Sequence, residues 1–195
     1  ILDAVKWGSS GGYIDLKSVW GHDSVVAIKA FAGKLAIFGE ENIVLYNNAD
    51  DINNLELDEV IRGVGCVSRD SIQEIGDDLV FMSKTGVRSL SRTAQFDKLP
   101  LKELSQTIKD ELIDHIVNAP LVKSAYKQDE GLYIFSFVDR NATYVMDMKF
   151  FTEKGTPRIT KWTFTDDREP ASLAYTQTYN LLVGQQSGRI ATYEG

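Results

Sequence analysis

The stretch VVAIKAFAGKLAIFGEENIVLY, residues Val25–Tyr46, contains the pattern that decides the fold. An apolar-rich strand ends in the turn Ala32–Lys34, and the compact apolar strand Leu35–Phe38 follows it. A second turn of small and acidic residues then leads into a third apolar run. Short apolar runs separated by glycine and polar residues are typical of antiparallel strands joined by hairpins. The stretch therefore predicts a three-stranded antiparallel unit.

The same pattern recurs three more times, in Ser71–Leu90, Val122–Met148 and Ala171–Tyr193. The central strands of the four repeats are 44, 53 and 49 residues apart, and they begin at Leu35, Leu79, Leu132 and Leu181. This period matches the blade of a β-propeller, a four-stranded sheet of about 40–50 residues. Such a sheet has two apolar faces, which stacked neighbours cover. The repeats predict an all-β fold, a partial β-propeller of about four blades.

The fourth strand of each blade is the weakest part of the pattern. It is clearest in the third repeat, where Arg158–Phe164 follows the turn Glu153–Gly155, and Asn53–Val60 is a candidate in the first. A β-sandwich or barrel also has strands separated by turns about every 8–12 residues, so these folds stay open as alternatives. Only a propeller predicts the longer period as well.

The sequence divides into a leader, residues 1–24, and the predicted blades, residues 25–195. The leader contains the loop Gly8–Gly12, which is flexible by composition. Trp7 and Trp20 flank this loop, and we expect them to be hydrophobic anchors rather than a pair that grips a ligand. Because the first residue is isoleucine, we expect the sequence to be part of a longer or processed chain.

One segment, Leu101–Val117, departs from the strand pattern. Its apolar residues recur at the spacing of an amphipathic helix: Leu101, Leu104, Ile108, Leu112, Ile113, Ile116 and Val117. Pro100 suits a first turn and Pro120 lies just beyond the end. The opposite face is expected to be charged and exposed, with Lys102, Glu103, Lys109, Asp110, Glu111 and Asp114. We predict an inserted helix at about residues 100–118 that either covers the end of a blade or contacts a neighbouring subunit.

Composition narrows the classes of function. The 195 residues include 28 acidic and 21 basic side chains, a net charge of −7. This balance argues against a surface that grips nucleic acid, although an acidic wall would let DNA pass. A single cysteine, Cys66, excludes an internal disulfide, and two histidines, His22 and His115, disfavour a zinc site. No membrane-spanning stretch or secretion signal is visible, so we expect a soluble, unsecreted protein.

Motifs for catalysis and phosphate binding are incomplete. The run Gly184–Gly188 lacks the spacing of a serine nucleophile elbow, and Gly63–Gly65 lacks the remaining residues of a phosphate-binding loop. Cys66 lies in an apolar run, where an inert buried thiol is expected. The sequence therefore predicts no catalytic, cofactor-binding or metal-binding residue. A pair of carboxylates for glycoside cleavage stays open, because their separation is not readable from sequence.

The acidic doublets and the basic–aromatic pairs also favour a surface without a preformed binding site. The doublets lack calcium-loop spacing and are expected to be solvated turn carboxylates: Glu40–Glu41, Asp50–Asp51, Asp77–Asp78 and Asp166–Asp167. The glycosylation sequon Asn141–Thr143 is expected to be a chance match. The pairs in Lys149–Phe151 and Lys161–Trp162 are too sparse to stack single-stranded nucleic acid.

Two runs of sequence, Val25–Asn48 and Arg62–Leu90, resemble the β-propeller proteins of short-tailed bacteriophage tails. These are the tail nozzle (tail tubular protein B) type and the packaged-DNA stabilisation proteins. The third repeat, with Ala142–Asp147 and Lys161–Trp162, is similar to later blades of that family. The similarity extends over about residues 25–195, and the chain is much shorter than a whole nozzle subunit.

The resemblance implies a non-enzymatic structural protein of the virion tail, present in the host cytoplasm during assembly. Its partners would be copies of itself in a ring, commonly of six, and the phage adaptor, portal or tail proteins. DNA would pass through the channel without specific binding, and no membrane or cofactor would be involved. An alternative interpretation of the same repeats is a β-propeller module for protein–protein interaction in a cellular protein.

Overall fold

The structure is a computed structural model that describes residues 14–51, 54–91, 103–118, 121–153, 155–165, 168–176 and 180–193. β-Strands make up 52% of it and form four antiparallel sheets, so the predicted all-β class is confirmed. The chain divides into two compact units, Ile1–Gly65 and Cys66–Gly195. The glycine loop, Trp7, Pro100–Lys102 and Asp166–Asp167 lie outside the described residues.

The unit Ile1–Gly65 contains sheet I, a four-stranded meander in chain order. Its strands are β1 (Val25–Phe31), β2 (Lys34–Gly39), β3 (Asn42–Asn47) and β4 (Glu56–Arg62). The fourth strand begins three residues later than predicted. Trp20, the last residue of the short helix α1 (Lys17–Trp20), is 5% exposed and packs with Ile37 and Val44 of the sheet. Trp20 is thus a hydrophobic anchor.

The turn between β2 and β3 is held from two sides. The Asp23 carboxylate accepts hydrogen bonds from the backbone N–H groups of Glu40 (2.9 Å) and Glu41 (3.1 Å) and from the side-chain amide of Asn42 (2.7 Å). Burial acts to raise the pKa of Asp23, but these bonds outweigh it, and the pKa is lowered. On the other side, a Cβ at Gly65 would lie 2.2 Å from the Glu40 carbonyl carbon. The turn therefore leaves no room for a side chain at this glycine.

Gly65→Ala is expected to lower the free energy of unfolding by about 1–3 kcal/mol, the usual cost of overpacking. The backbone of Glu40 would have to move, and the bonds to Asp23 would lengthen with it. Gly33→Ala is the comparison variant: its Cβ would meet no atom within 4 Å, so any loss of stability there comes from the left-handed φ of +75° and not from a steric clash. Urea unfolding checks both. A Gly65→Ala protein as stable as the parent would contradict the close approach.

The unit Cys66–Gly195 contains three further sheets. Sheet II has β5 (Gln73–Ile75), β6 (Asp78–Ser83) and β7 (Gly86–Ser89). Sheet III has β8 (Val122–Lys127), β9 (Leu132–Phe137), β10 (Ala142–Phe151) and β11 (Pro157–Trp162). Sheet IV has β12 (Pro170–Tyr175), β13 (Leu181–Gln185) and β14 (Ile190–Tyr193). Each predicted central strand lies in a different sheet, as β2, β6, β9 and β13.

Sheet III is covered on both faces, because successive side chains of a strand point to opposite sides. On one face, Phe135 and Phe137 share a buried cluster with Val80 and Met82 of sheet II. On the other face, Ile134 packs with residues of sheet IV, Leu181 and Val183. The three sheets are therefore stacked face to face in the order of the chain, with sheet III in the middle.

The predicted helix starts later than the periodicity suggested. A 3₁₀ turn, Gln106–Ile108, precedes α2 (Lys109–Asn118). Leu104 and Ser105 instead form hydrogen bonds with β7, the edge strand of sheet II. The Leu104 N–H donates to the Val87 carbonyl (2.9 Å), and the Val87 N–H donates to Ser105 Oγ (2.9 Å). Glu103, predicted to be exposed, is buried. This segment covers the edge of β7, because the backbone N–H and C=O groups of an edge strand need hydrogen-bond partners.

Helix α2 has one face in the core of its unit. Leu112 and Ile116 belong to the buried cluster between sheets II and III, whereas Val117 is 72% exposed. In the described parts of the chain, no helix is both long and apolar enough to span a membrane.

Candidate functional site

A group of four titratable side chains lies where α2 meets sheet III. Glu111 and His115, one helical turn apart, face Tyr144 of β10 and Lys161 of β11. His115 Nε2 hydrogen-bonds to the Tyr144 hydroxyl at 3.0 Å and lies 3.9 Å from Glu111 Oε1. Lys161 Nζ donates to Glu111 Oε1 and lies 5.5 Å from the centre of the Tyr144 ring. We call these four residues the helix-anchor cluster.

Burial and neighbouring charges set the protonation states of the cluster. Burial lowers the pKa of His115, aided by Lys161 and Arg140 and opposed by Glu111 and Asp114. Burial also raises the pKa of Tyr144, and its bond to Glu111 adds to this. Hydrogen bonds from Lys161 and Tyr144 hold the pKa of Glu111 below its usual value. At neutral pH the cluster is thus a neutral histidine, a neutral tyrosine and a Lys–Glu ion pair.

This arrangement fits a structural role better than acid–base catalysis. Tyr144 is 1% exposed, so its hydroxyl is shielded from substrate. Its raised pKa keeps the phenol protonated at neutral pH, so it does not act as a general base there. The His115 ring packs against Phe137, with centroids 5.2 Å apart. The cluster joins the helix to the sheet. The i, i+4 spacing of Glu111 and His115 was a visible signal, but their partners on the strands were not readable from sequence.

His115 is expected to make the unit less stable in mild acid. Its folded-state pKa is lowered, so below the unfolded value of about 6.5 the unfolded chain binds more protons. The free energy of unfolding should fall from pH 7 toward pH 5.5, by at most about 1.4 kcal/mol per pH unit for one proton. His115→Gln, which keeps a hydrogen-bonding side chain, should reduce this slope. Urea unfolding across that range checks it, and equal slopes for the two proteins would contradict it.

A second charged cluster is buried beside the edge of sheet II. Arg88 Nη2 donates to Glu103 Oε1 at 3.0 Å, and the two side chains are 11% and 7% exposed. Lys109 Nζ lies 3.3 Å from the same oxygen. Arg88 also donates to Thr85 Oγ1 (2.8 Å). Among the described residues, Glu103 Oε2 and Arg88 Nη1 have no hydrogen-bond partner.

The first strands of the three sheets come together at one edge of the stack. The Gln73 side chain of β5 donates to Ser124 Oγ (3.0 Å) and to the Ser124 carbonyl (3.2 Å) on β8. The Tyr175 hydroxyl of β12 donates to Asp129 Oδ1 (3.0 Å), just after β8. A cleft of about 310 Å³ lies along this edge. Its lining residues are Gln73, Glu74, Ser124, Ala125, Tyr126, Gln128, Leu173, Ala174 and Tyr175, which include one carboxylate and neither lysine nor arginine.

The structure places the other sequence candidates separately. Cys66 is fully buried, and burial raises the pKa of its thiol to about 11. The run Gly184–Gly188 forms the end of β13 and the turn to β14. The Asp78 carboxylate, at the start of β6, accepts hydrogen bonds from the backbone N–H groups of Leu79 (2.8 Å) and of Ser91 (2.9 Å), which follows β7, so it ties these two strand ends together. In the described ranges, no three His, Cys, Asp or Glu residues are arranged to hold a metal ion.

The basic–aromatic pairs lie at two distant places on sheet III. Phe150, near the end of β10, is 69% exposed. Trp162 is half-buried, and its ring stacks on Tyr193 with centroids 5.1 Å apart. Asn141 of the sequon has a left-handed φ of 50° at a turn.

Comparison with protein-family models gives no match for this chain, and comparison with curated proteins gives none.

Proposed function

We propose that this chain is a non-enzymatic structural protein of a bacteriophage virion, part of a tail nozzle or head-to-tail channel that retains and conducts packaged DNA. In this proposal the four sheets are blades of a partial β-propeller. Copies of the chain assemble into a ring with the phage adaptor, portal or tail proteins.

The stacking of sheets II, III and IV is the observation that carries the proposal. Each sheet comes from one sequence repeat, neighbouring sheets cover each other's apolar faces, and their first strands meet at one edge. Propeller blades are arranged in this way, with first strands next to the central axis. The assignment to a phage tail rests in addition on the sequence resemblance over residues 25–195.

The charge of the surface at that shared edge fits a channel wall along which DNA passes without binding. Tight binding to DNA requires several lysine or arginine contacts to phosphates. The cleft along β5, β8 and β12 is lined by amides, hydroxyls and one carboxylate. The lysines next to it are paired: Lys123 Nζ lies 2.6 Å from Asp70 Oδ2, and Lys127 Nζ lies 2.5 Å from Asp129 Oδ2. The chain's net charge of −7 is of the same sign as DNA.

Electron microscopy and mass measurement of the purified full-length protein test the proposal. We expect a ring of several copies with a central channel, and the same protein in purified phage particles. DNA in low salt should show no saturable binding to the ring. A protein that stays monomeric and is absent from particles would overturn the proposal, and recovery of a stable cellular partner would favour the interaction-module alternative.

A further inference from the structure

The hydrogen on the His115 ring has one placement that satisfies its neighbours. The Tyr144 hydroxyl donates to Glu111, because an ionised carboxylate only accepts hydrogen bonds. The oxygen of the same hydroxyl therefore accepts the bond from His115 Nε2, at 3.0 Å. The neutral ring thus carries its hydrogen on Nε2, and its other nitrogen, Nδ1, is an acceptor without a hydrogen.

This second nitrogen is where the ring would take up a proton. Nδ1 of His115 is buried and, among the residues that the structure describes, has no hydrogen-bond partner. A proton bound there would create a charged N–H group without an acceptor, and a buried unpaired donor is costly. Water has little access, because the side chain is 14% exposed and packs against Phe137. The docked helix therefore holds the neutral ring much better than the charged one.

Charged groups on every element around His115 complete its environment. They are negative Glu111 and Asp114 on α2, positive Lys161 on β11, positive Arg140 in the turn after β9, and neutral Tyr144 on β10. The two negative charges favour a proton on the ring and the two positive charges oppose it. Burial has the largest effect, and it lowers the pKa of His115.

Helix α2 is held by few apolar contacts compared with the sheets. It has ten residues, and its buried side chains among those described are Leu112 and Ile116. Segments with few buried apolar contacts open at a lower free energy than the core of the same protein. A helix of this length is not stable alone in water, so it would lose its backbone hydrogen bonds once detached. Those bonds therefore report whether the helix is docked.

We propose that α2 is an acid-released cover of sheet III. When His115 binds a proton, the helix detaches from β10 and β11 while the stacked sheets stay folded. Water then hydrates the charged ring, so acid stabilises the detached state relative to the docked one. Detachment exposes Phe137 and Tyr144, two rings that are buried while the helix is docked. This proposal does not depend on the phage assignment.

Native-state hydrogen exchange of the intact chain in low concentrations of urea tests the proposal. The amides of residues 113–117 should open at a lower free energy than those of β9, and with a weaker dependence on urea. Between pH 7 and pH 5.5 the opening equilibrium of the helix should rise by up to about eightfold, the limit for one histidine with an open-state pKa of about 6.5. Equal free energies and urea dependences for α2 and β9 would overturn the proposal, because the helix would then open only with the whole unit.

His115→Gln should remove most of this rise, because glutamine does not titrate in this range. His22→Gln is the matched control, since His22 is exposed and belongs to the other unit. The control should keep the rise of the parent protein. An equal rise in the His115→Gln protein, or no rise in the parent, would overturn the proposal.

Nuclear magnetic resonance of the ring nitrogens gives a second reading that needs no variant. At pH 7 the nitrogen without a hydrogen should be Nδ1 of His115, and the helix amides should lose protection as the ring takes up its proton. A hydrogen on Nδ1 at pH 7, or a ring that binds its proton while the helix amides keep their protection, would overturn the proposal. This reading also decides the matter where the His115→Gln protein has lost helix protection already at pH 7.

Discussion

Phe135→Ala lowers the free energy of unfolding of the unit Cys66–Gly195 by about 3–5 kcal/mol, the range for removing a buried aromatic side chain. Phe135 lies on β9, an interior strand of sheet III, and is fully buried. Its ring stacks on Tyr144 with centroids 5.4 Å apart. Tyr133 and Phe137 lie at 5.4 and 6.2 Å. These rings belong to the cluster that joins sheets II and III, so the cavity would loosen the stack itself.

Urea unfolding followed by circular dichroism measures this loss, and hydrogen exchange of the β9 amides assigns it to this unit. Phe150→Ala is the matched control, since Phe150 is 69% exposed and its loss should change stability by less than about 0.5 kcal/mol. Similar effects of the two substitutions would contradict the described core.

Glu103→Ala is expected to lower the free energy of unfolding by about 3–5 kcal/mol, because it leaves the buried Arg88 guanidinium without its carboxylate. Lys109 would lose the same partner. The double variant Arg88→Met with Glu103→Leu removes both buried charges and should regain most of the lost stability. Urea unfolding of the parent, single and double variants forms the test. A double variant as unstable as Glu103→Ala alone would show that packing at this edge, rather than the unpaired charge, sets the cost.

The strands were the part of the fold that sequence predicted well. Each central strand, such as LAIF at Leu35–Phe38, is a short apolar run between turn residues, and local patterning alone decides such a run. The segment Glu103–Ser105 shows where this reasoning fails. Its apolar and charged spacing continued that of the helix, but the backbone partners offered by Val87 outweighed it.

The candidate sites depended on contacts between distant parts of the sequence. Glu111 and Lys161 lie 50 residues apart, and Gln73 and Ser124 lie 51 apart, yet both pairs are hydrogen-bonded. No local period encodes such pairs.

The strand order has a consequence for how the protein folds as it is synthesised. Every sheet is a meander whose neighbours in space are also neighbours in the chain. Such local pairing gives a low contact order within each sheet, which favours rapid formation. Each sheet can thus form as its own segment leaves the ribosome. One apolar face of sheet III then stays exposed to solvent until sheet IV has been synthesised. Slow translation between residues 162 and 170 would prolong that exposure and increase aggregation.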